Sequence, residues 1–200
     1  MQKSDGYGRN LTGISPRHGS HAAAIIAFVR LAELFVNSKC VNPFGVSVTS
    51  HIMDSMPIVV ASSKRSSSAK TASGLCDKGY CSSKNIYYYG LKLHILGEKQ
   101  YKTLPSPRMM EITKASASDL THAKSMLSQA RNIEIFADKI YLDTKWHKEL
   151  NERGITIITP VKLAKGQQLL NSADKLLSAA VARARQAIES FNNWIHHGNQ

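Results

Sequence analysis

Three acids in this chain stand where a carboxylate is costly unless something holds it. Asp54 is in phase with Val46, Val48 and Ile52 along a period-two stretch, which places it at the end of a strand on its apolar side. Asp138 ends the apolar run Ile133-Glu134-Ile135-Phe136-Ala137. Glu189 lies beside the apolar stripe of a long helical pattern, with Arg185 one turn earlier on the same face. A carboxylate at the border of a buried surface needs a paired charge or a metal. Three of them form a donor set for Mg2+, a hard cation that takes oxygen ligands. Two such ions about 3.5–4 Å apart activate a water or hydroxyl and stabilise the leaving oxygen in phosphodiester chemistry. The three acids are too far apart in sequence to form a local motif, so only the fold can join them. On pattern alone, solvated strand-end acids are the alternative, since the chain holds 14 acidic residues.

Other chemical motifs fail. Gly74 and Gly79 have the spacing that opens a phosphate-binding loop, but Tyr80 stands where that motif needs Lys. Cys76 and Cys81 have no second Cys or His pair at zinc-site spacing. No Gly-x-Ser-x-Gly turn is present.

The elements that must position the acids follow from periodicity. Residues 21–38 predict a helix with a buried face, and Val46 to Val60 a strand that Pro57 should end or edge. Lys64 to Lys84 reads as a long basic loop. Ile86 to Gly97 and Met109 to Ala115 predict two more strands, and Ser118-Asp119 starts a helix. Ile133 to Tyr141 is a fourth strand, and Trp146 to Arg153 a short helix closed by Gly154. Ile155 to Val161 is a fifth strand, and Asp174 to Ile195 the longest helix. Three successive strands suggest an antiparallel meander, and strand–helix–strand demands a parallel crossover. The expected architecture is α/β: a mixed five-stranded sheet flanked by helices. Residues 1–20 are expected to be a flexible tail, 21–45 a helical remnant and 46–200 the main domain.

Composition narrows the partner. The chain has 200 residues, a net charge of +12 and a pI near 9.7. Lys plus Arg number 26 against 14 for Asp plus Glu, which favours an anionic partner, with nucleic acid first. No stretch has the roughly 18–20 apolar residues of a membrane span, and Ala22 to Val36 is interrupted by Arg30 and Glu33. Three cysteines form no even disulfide framework, so a reducing, cytoplasmic location is expected.

At these same residues the sequence resembles a family. In order stand Asp54-Ser-Met-Pro, Gly79-Tyr-Cys-Ser-Ser-Lys84, Tyr88-Tyr-Gly-Leu-Lys-Leu-His94 and Ile112-Thr-Lys-Ala-Ser-Ala-Ser-Asp-Leu120. Phe136-Ala-Asp-Lys-Ile-Tyr141, Thr159-Pro-Val-Lys162 and Arg185-Gln-Ala-Ile-Glu-Ser-Phe-Asn-Asn-Trp194 complete the series. Across residues 46–197 these resemble the blocks of bacterial insertion-sequence transposases of the DDE type. The resemblance implies an RNase H-like fold. It implies that Asp54, Asp138 and Glu189 hold two Mg2+ ions, with Mn2+ able to substitute, for DNA strand cleavage and transfer.

It also implies double-stranded DNA as partner, both transposon ends and target, a homo-oligomer on that DNA and a nucleoid-associated location. Candidate DNA contacts are Lys64 and Arg65 in the basic loop, Lys92 and His94 on one strand face, Lys139 and Tyr141 after the second acid, and Arg185. Two positions depart from the family pattern: Ile140 stands where Gly is usual, and Ala182 where Tyr is common. The chain is also shorter at both ends than the usual plan. That leaves a shortened copy, a non-catalytic DNA-binding remnant, as the alternative.

Overall fold

The computed structural model of the chain describes residues 49–82 and 85–197, together with positions 27, 31 and 34. Its strands are β1 (Thr49–Ser62), β2 (Asp77–Cys81), β3 (Ile86–Glu98), β4 (Ser106–Lys114), β5 (Ile133–Phe136) and β6 (Ile155–Ile158). Its helices are α1 (Asp119–Met126), α2 (Thr144–Asn151) and α3 (Ser172–His197). Single 3-10 turns cover Ser63–Arg65 and Lys139–Tyr141.

All six strands join one mixed sheet in the order β4–β3–β1–β5–β6, with β2 sharing the outer edge of β3 with β4. β1, β2 and β4 run antiparallel to β3, whereas β5 and β6 run parallel to β1. An antiparallel meander followed by two parallel strands, with helices on both faces, is the RNase H-like layout expected. It carries one strand more than the five foreseen.

Alternation sorts the side chains into two cores. Ile52, Met56 and Ile58 of β1 join Leu91, Leu93 and Ile95 of β3 beneath Ile188 and Phe191 of α3. Met53 and Leu96 point the other way and join Met126 and Leu127 from the α1 segment, Ile133 and Ile135 of β5, and Trp146 and Leu150 of α2. Both faces are covered, so β3 is buried along most of its length. Short helices survive because their ends are capped. Ser118 accepts from the Thr121 N–H, and Asp143 accepts from the Lys145 and Trp146 N–H groups at 3.1 Å each.

Several sequence expectations change. Asp77–Cys81 is a strand within the stretch read as loop, because the first residues of β3 overhang β4 and offer it a partner. Pro57 does not end β1; it lies well inside, paired with Lys92, on a stretch with no β5 partner. It is tolerated because β5 pairs with β1 only through Ile52, and beyond that the β5-facing edge needs no N–H. Most of the helix expected over 21–38 lies outside the described residues. Ala27, Leu31 and Leu34 are helical, and both leucines are 66% exposed rather than buried.

One glycine is fixed by close approach. A Cβ on Gly90 would sit 2.0 Å from the Ile58 carbonyl oxygen, beside the bulge in β1 between Val59 and Ala61. Backbone cannot yield as a flexible side chain can. Gly90→Ala should therefore cost roughly 2–3 kcal/mol in urea unfolding. A loss under about 0.5 kcal/mol, the usual range of a harmless surface change, would contradict this packing.

Candidate active site

Where β5 ends, the edge of β1 has no further strand partner among the described residues, and the sheet opens there. Asp54 follows two residues after Ile52, the last residue of β1 paired to β5, and shares the α3-facing side with Ile52 and Met56. Asp138 follows β5 by two residues in extended backbone and caps the turn Lys139–Tyr141, its Oδ1 accepting from the Lys139 N–H at 2.6 Å. Glu189 sits on α3 between Ile188 and Phe191, which seat the helix on the sheet, and Arg185 lies one turn earlier.

These elements bring the three acids around one cation. A guanidinium nitrogen of Arg185 lies 3.4 Å from Asp54 Oδ1, and another lies 4.0 Å from Asp138 Oδ1 and 3.9 Å from Glu189 Oε1. Asn192 Nδ2 donates to Asp54 Oδ2 at 2.9 Å. The Asp54 carboxyl is pushed up to about 6. Burial is the main cause, and repulsion from Asp138 and Glu189 adds to it. Arg185 and the Ser55 N–H pull the other way without cancelling it. The side chains of Asp138 and Glu189 are 49% and 55% exposed, so they face solvent while Asp54 lies deep.

The donor chemistry fits a divalent cation. Three hard oxygen donors face a single monovalent guanidinium, and the deepest holds its charge reluctantly for want of compensation. In this arrangement, however, no three His, Cys, Asp or Glu side chains among the described residues stand close enough to ligate one ion together. The guanidinium occupies the space between the acids.

A cavity of about 270 Å3 runs from the acids past Ser55 and Pro57 to the opposite side of the sheet, where Lys92 and Asp119 line it. Lys92 donates to the Ala117 carbonyl at 2.9 Å and pairs with Asp119 Oδ1 at 3.1 Å. His94 shares that face. It is 2% exposed, its Nε2 lies 2.9 Å from Thr113 Oγ1, and it stacks on His122 at 5.1 Å. Burial holds its imidazole well below the ordinary value, against the pull of Asp119. Tyr141 is 1% exposed, with its hydroxyl bonded to Ser55 and pushed far up by burial. Polar atoms sealed in this way help to position the cavity walls.

Lys64 and Arg65 lie exposed on the turn after β1, away from the cavity lining, and Lys139 is exposed next to Asp138. Three residues at the site lie outside the set expected from the sequence: Asn192, Asp119 and Ser55. Asn192 is in helical phase with Arg185 and Glu189, a signal legible in the spacing. Asp119 reads as a helix start, and Ser55 as an ordinary strand residue.

Against known proteins, residues 44–200 match a family model described as a transposase DDE domain. Among solved structures, the chain is similar to one in a cryo-EM structure of the piggyBac transposase synaptic complex with hairpin DNA. The TM-score is 0.45 at 13% identity, over 77% of this chain. This chain spans 31% of the length of that one. No curated protein matches.

Proposed function

Because this chain belongs to the transposase DDE-domain family, we propose that it is a DNA transposase that cleaves and joins DNA strands at the site formed by Asp54, Asp138 and Glu189. The observation that carries this is the meeting of the three acids, from β1, the end of β5 and α3, around the Arg185 guanidinium. The partner is double-stranded DNA, as element ends and as target, and a second copy of the chain would hold the other end. The net charge of +12 suits that partner.

Asp54, Asp138 and Glu189 would hold divalent cations, Mg2+ or Mn2+. When bound, such ions supply a nucleophile at neutral pH and stabilise charge on the leaving oxygen. Two of the acids are preset for this task. Asn192 and the Ser55 N–H fix the Asp54 carboxylate, and the Lys139 N–H fixes Asp138. Glu189 is more than half exposed and pairs with Arg185 at 3.9 Å, a contact that costs little to break. With the scissile phosphate in place, Arg185 is near enough to turn from the acids to the substrate's negative charge.

The test is incubation of plasmid DNA carrying the element's ends with the protein in Mg2+ or in EDTA. Strand breaks ending in 3′-hydroxyl groups should form in Mg2+ alone. Salt-sensitive DNA binding without any cleavage would instead select the non-catalytic remnant.

Arg185 should compete with the cation. Without it Asp54 would simply keep its proton, so at pH 7 the further cost is bounded. With the native carboxyl at about 6, that bound is about 1.4 kcal/mol. Arg185→Gln should lower metal-free stability by about 1 kcal/mol and tighten Mg2+ binding roughly tenfold, equivalent to about 1.4 kcal/mol. Calorimetric titration showing weaker Mg2+ binding in the variant would sink this role.

A further inference from the structure

We propose that Tyr141 is a positioning residue whose hydroxyl clasps Ser55 and so sets the gap between Asp54 and Asp138, selecting a small divalent cation. This rests on the transposase reading above and assigns that site its choice of metal.

The sheet does not hold these two acids together. β1 and β5 pair through Ile52 and Phe136, and Asp54 and Asp138 each stand two residues beyond that last pair. Past it the chain leans on β6, where the Ala137 N–H donates to the Ile158 carbonyl at 3.0 Å. Arg185 does reach both acids, at 3.4 and 4.0 Å, but from the space that a cation would take. A tie that survives metal binding must come from elsewhere.

Tyr141 supplies one. Its N–H donates to the Asp138 carbonyl at 3.1 Å, so it belongs to the same tight turn that Asp138 caps. His147 Nε2 donates to the Tyr141 carbonyl at 3.0 Å, and the ring is buried in the core that holds Met53 and Trp146. The hydroxyl of this fixed ring bonds to Ser55, the residue next to Asp54. A strand alternates, so Ser55 points away from the face that carries Asp54. The clasp therefore closes from the far side of the sheet and leaves the carboxylates free.

Spacing of this kind discriminates between cations. Mg2+ demands near-octahedral oxygen ligands at about 2.0–2.1 Å, whereas Ca2+ accepts about 2.3–2.6 Å and irregular geometry. Groups that steer metal ligands from behind govern roughly 10–100-fold in affinity. Loosening the clasp should therefore penalise Mg2+ and spare Ca2+.

The experiment is calorimetric titration of the full chain with Mg2+ and with Ca2+, for wild type, Tyr141→Phe, Ser55→Ala and the double variant. Each single variant should bind Mg2+ about tenfold more weakly, while Ca2+ affinity changes by less than about twofold. The Phe variant keeps the ring and the Ala variant keeps the Ser55 N–H, so melting in EDTA should fall by only about 2–4 °C. The double variant should bind no more weakly than either single one, because the same bond is lost in all three. Equal losses for the two cations would assign Tyr141 to the core and overturn the clasp. So would additive losses in the double variant, or unchanged Mg2+ affinity in Tyr141→Phe. A wild type that binds no Mg2+ and cleaves no DNA overturns the transposase reading itself, and the clasp falls with it.

Discussion

Asp138→Asn and Glu189→Gln should each reduce Mg2+-dependent strand cleavage by about a thousandfold, while affinity for duplex DNA changes by less than about twofold. Each replacement keeps the side-chain shape and removes one negative charge from the donor set. Charge stabilisation by a held cation is worth several kcal/mol in the transition state, and about 4 kcal/mol is a thousandfold in rate. Unfolding cannot imitate the effect. Both side chains are about half exposed, where substitutions usually stay within about 0.5 kcal/mol. Asn also caps a turn about as well as Asp, so the bond from the Lys139 N–H survives. In the proposed complex both acids would hold the cation and not the phosphate, so the slope of binding against salt should not move. Retention of a tenth of the cleavage rate in either variant would remove that acid from the chemistry.

How far the site was legible depends on which physical effect placed each residue. Asp54 faces α3 because a strand alternates, and burial of Ile52 and Met56 fixes which side is which. Val181, Ala184, Ile188 and Phe191 form one buried stripe of α3, so Arg185 and Glu189 beside it had to border the sheet. These are local rules, and local rules are readable. Other residues obey neighbours instead. Lys92 and His94 look like a solvated strand face, since polar side chains at alternate positions usually mean water. That face is in fact covered by α1, which supplies Asp119 as their partner. Tyr141 turns inward because the chain leaves β5 through a 3-10 turn and not as continued strand. β2 has no apolar alternation of its own and exists through the overhanging end of β3. The placement of a guanidinium between three carboxylates is a side-chain fact that periodicity cannot carry.

In metal-free solution, Asp54→Asn should make the protein more stable, by about 3 kcal/mol at pH 8 and by almost nothing below about pH 3. The sign follows from the native carboxyl standing at about 6 against an ordinary 3.8. Well below 3.8 the acid is neutral in both folded and unfolded chains, and wild type and variant are equal. As pH rises, the unfolded chain gives up its proton first, so wild-type stability falls until the folded group also ionises. Above about pH 7 the full difference persists, and the Asn variant never incurs it. In a domain of this size it corresponds to roughly 6–12 °C in Tm.

Mg2+ should narrow the gap from the other side. At about a hundredfold over its Kd a ligand adds about 2.7 kcal/mol to the form that binds it, and the Asn variant lacks the charge to share in that. A pair of melting curves against pH, repeated with Mg2+, separates this account from its rivals. A gain that persists unchanged at pH 3.5 would reflect packing and not charge. No gain at pH 8 would mean that Arg185 and Asn192 already compensate the buried carboxylate, leaving no unmet charge at Asp54 for a cation to neutralise.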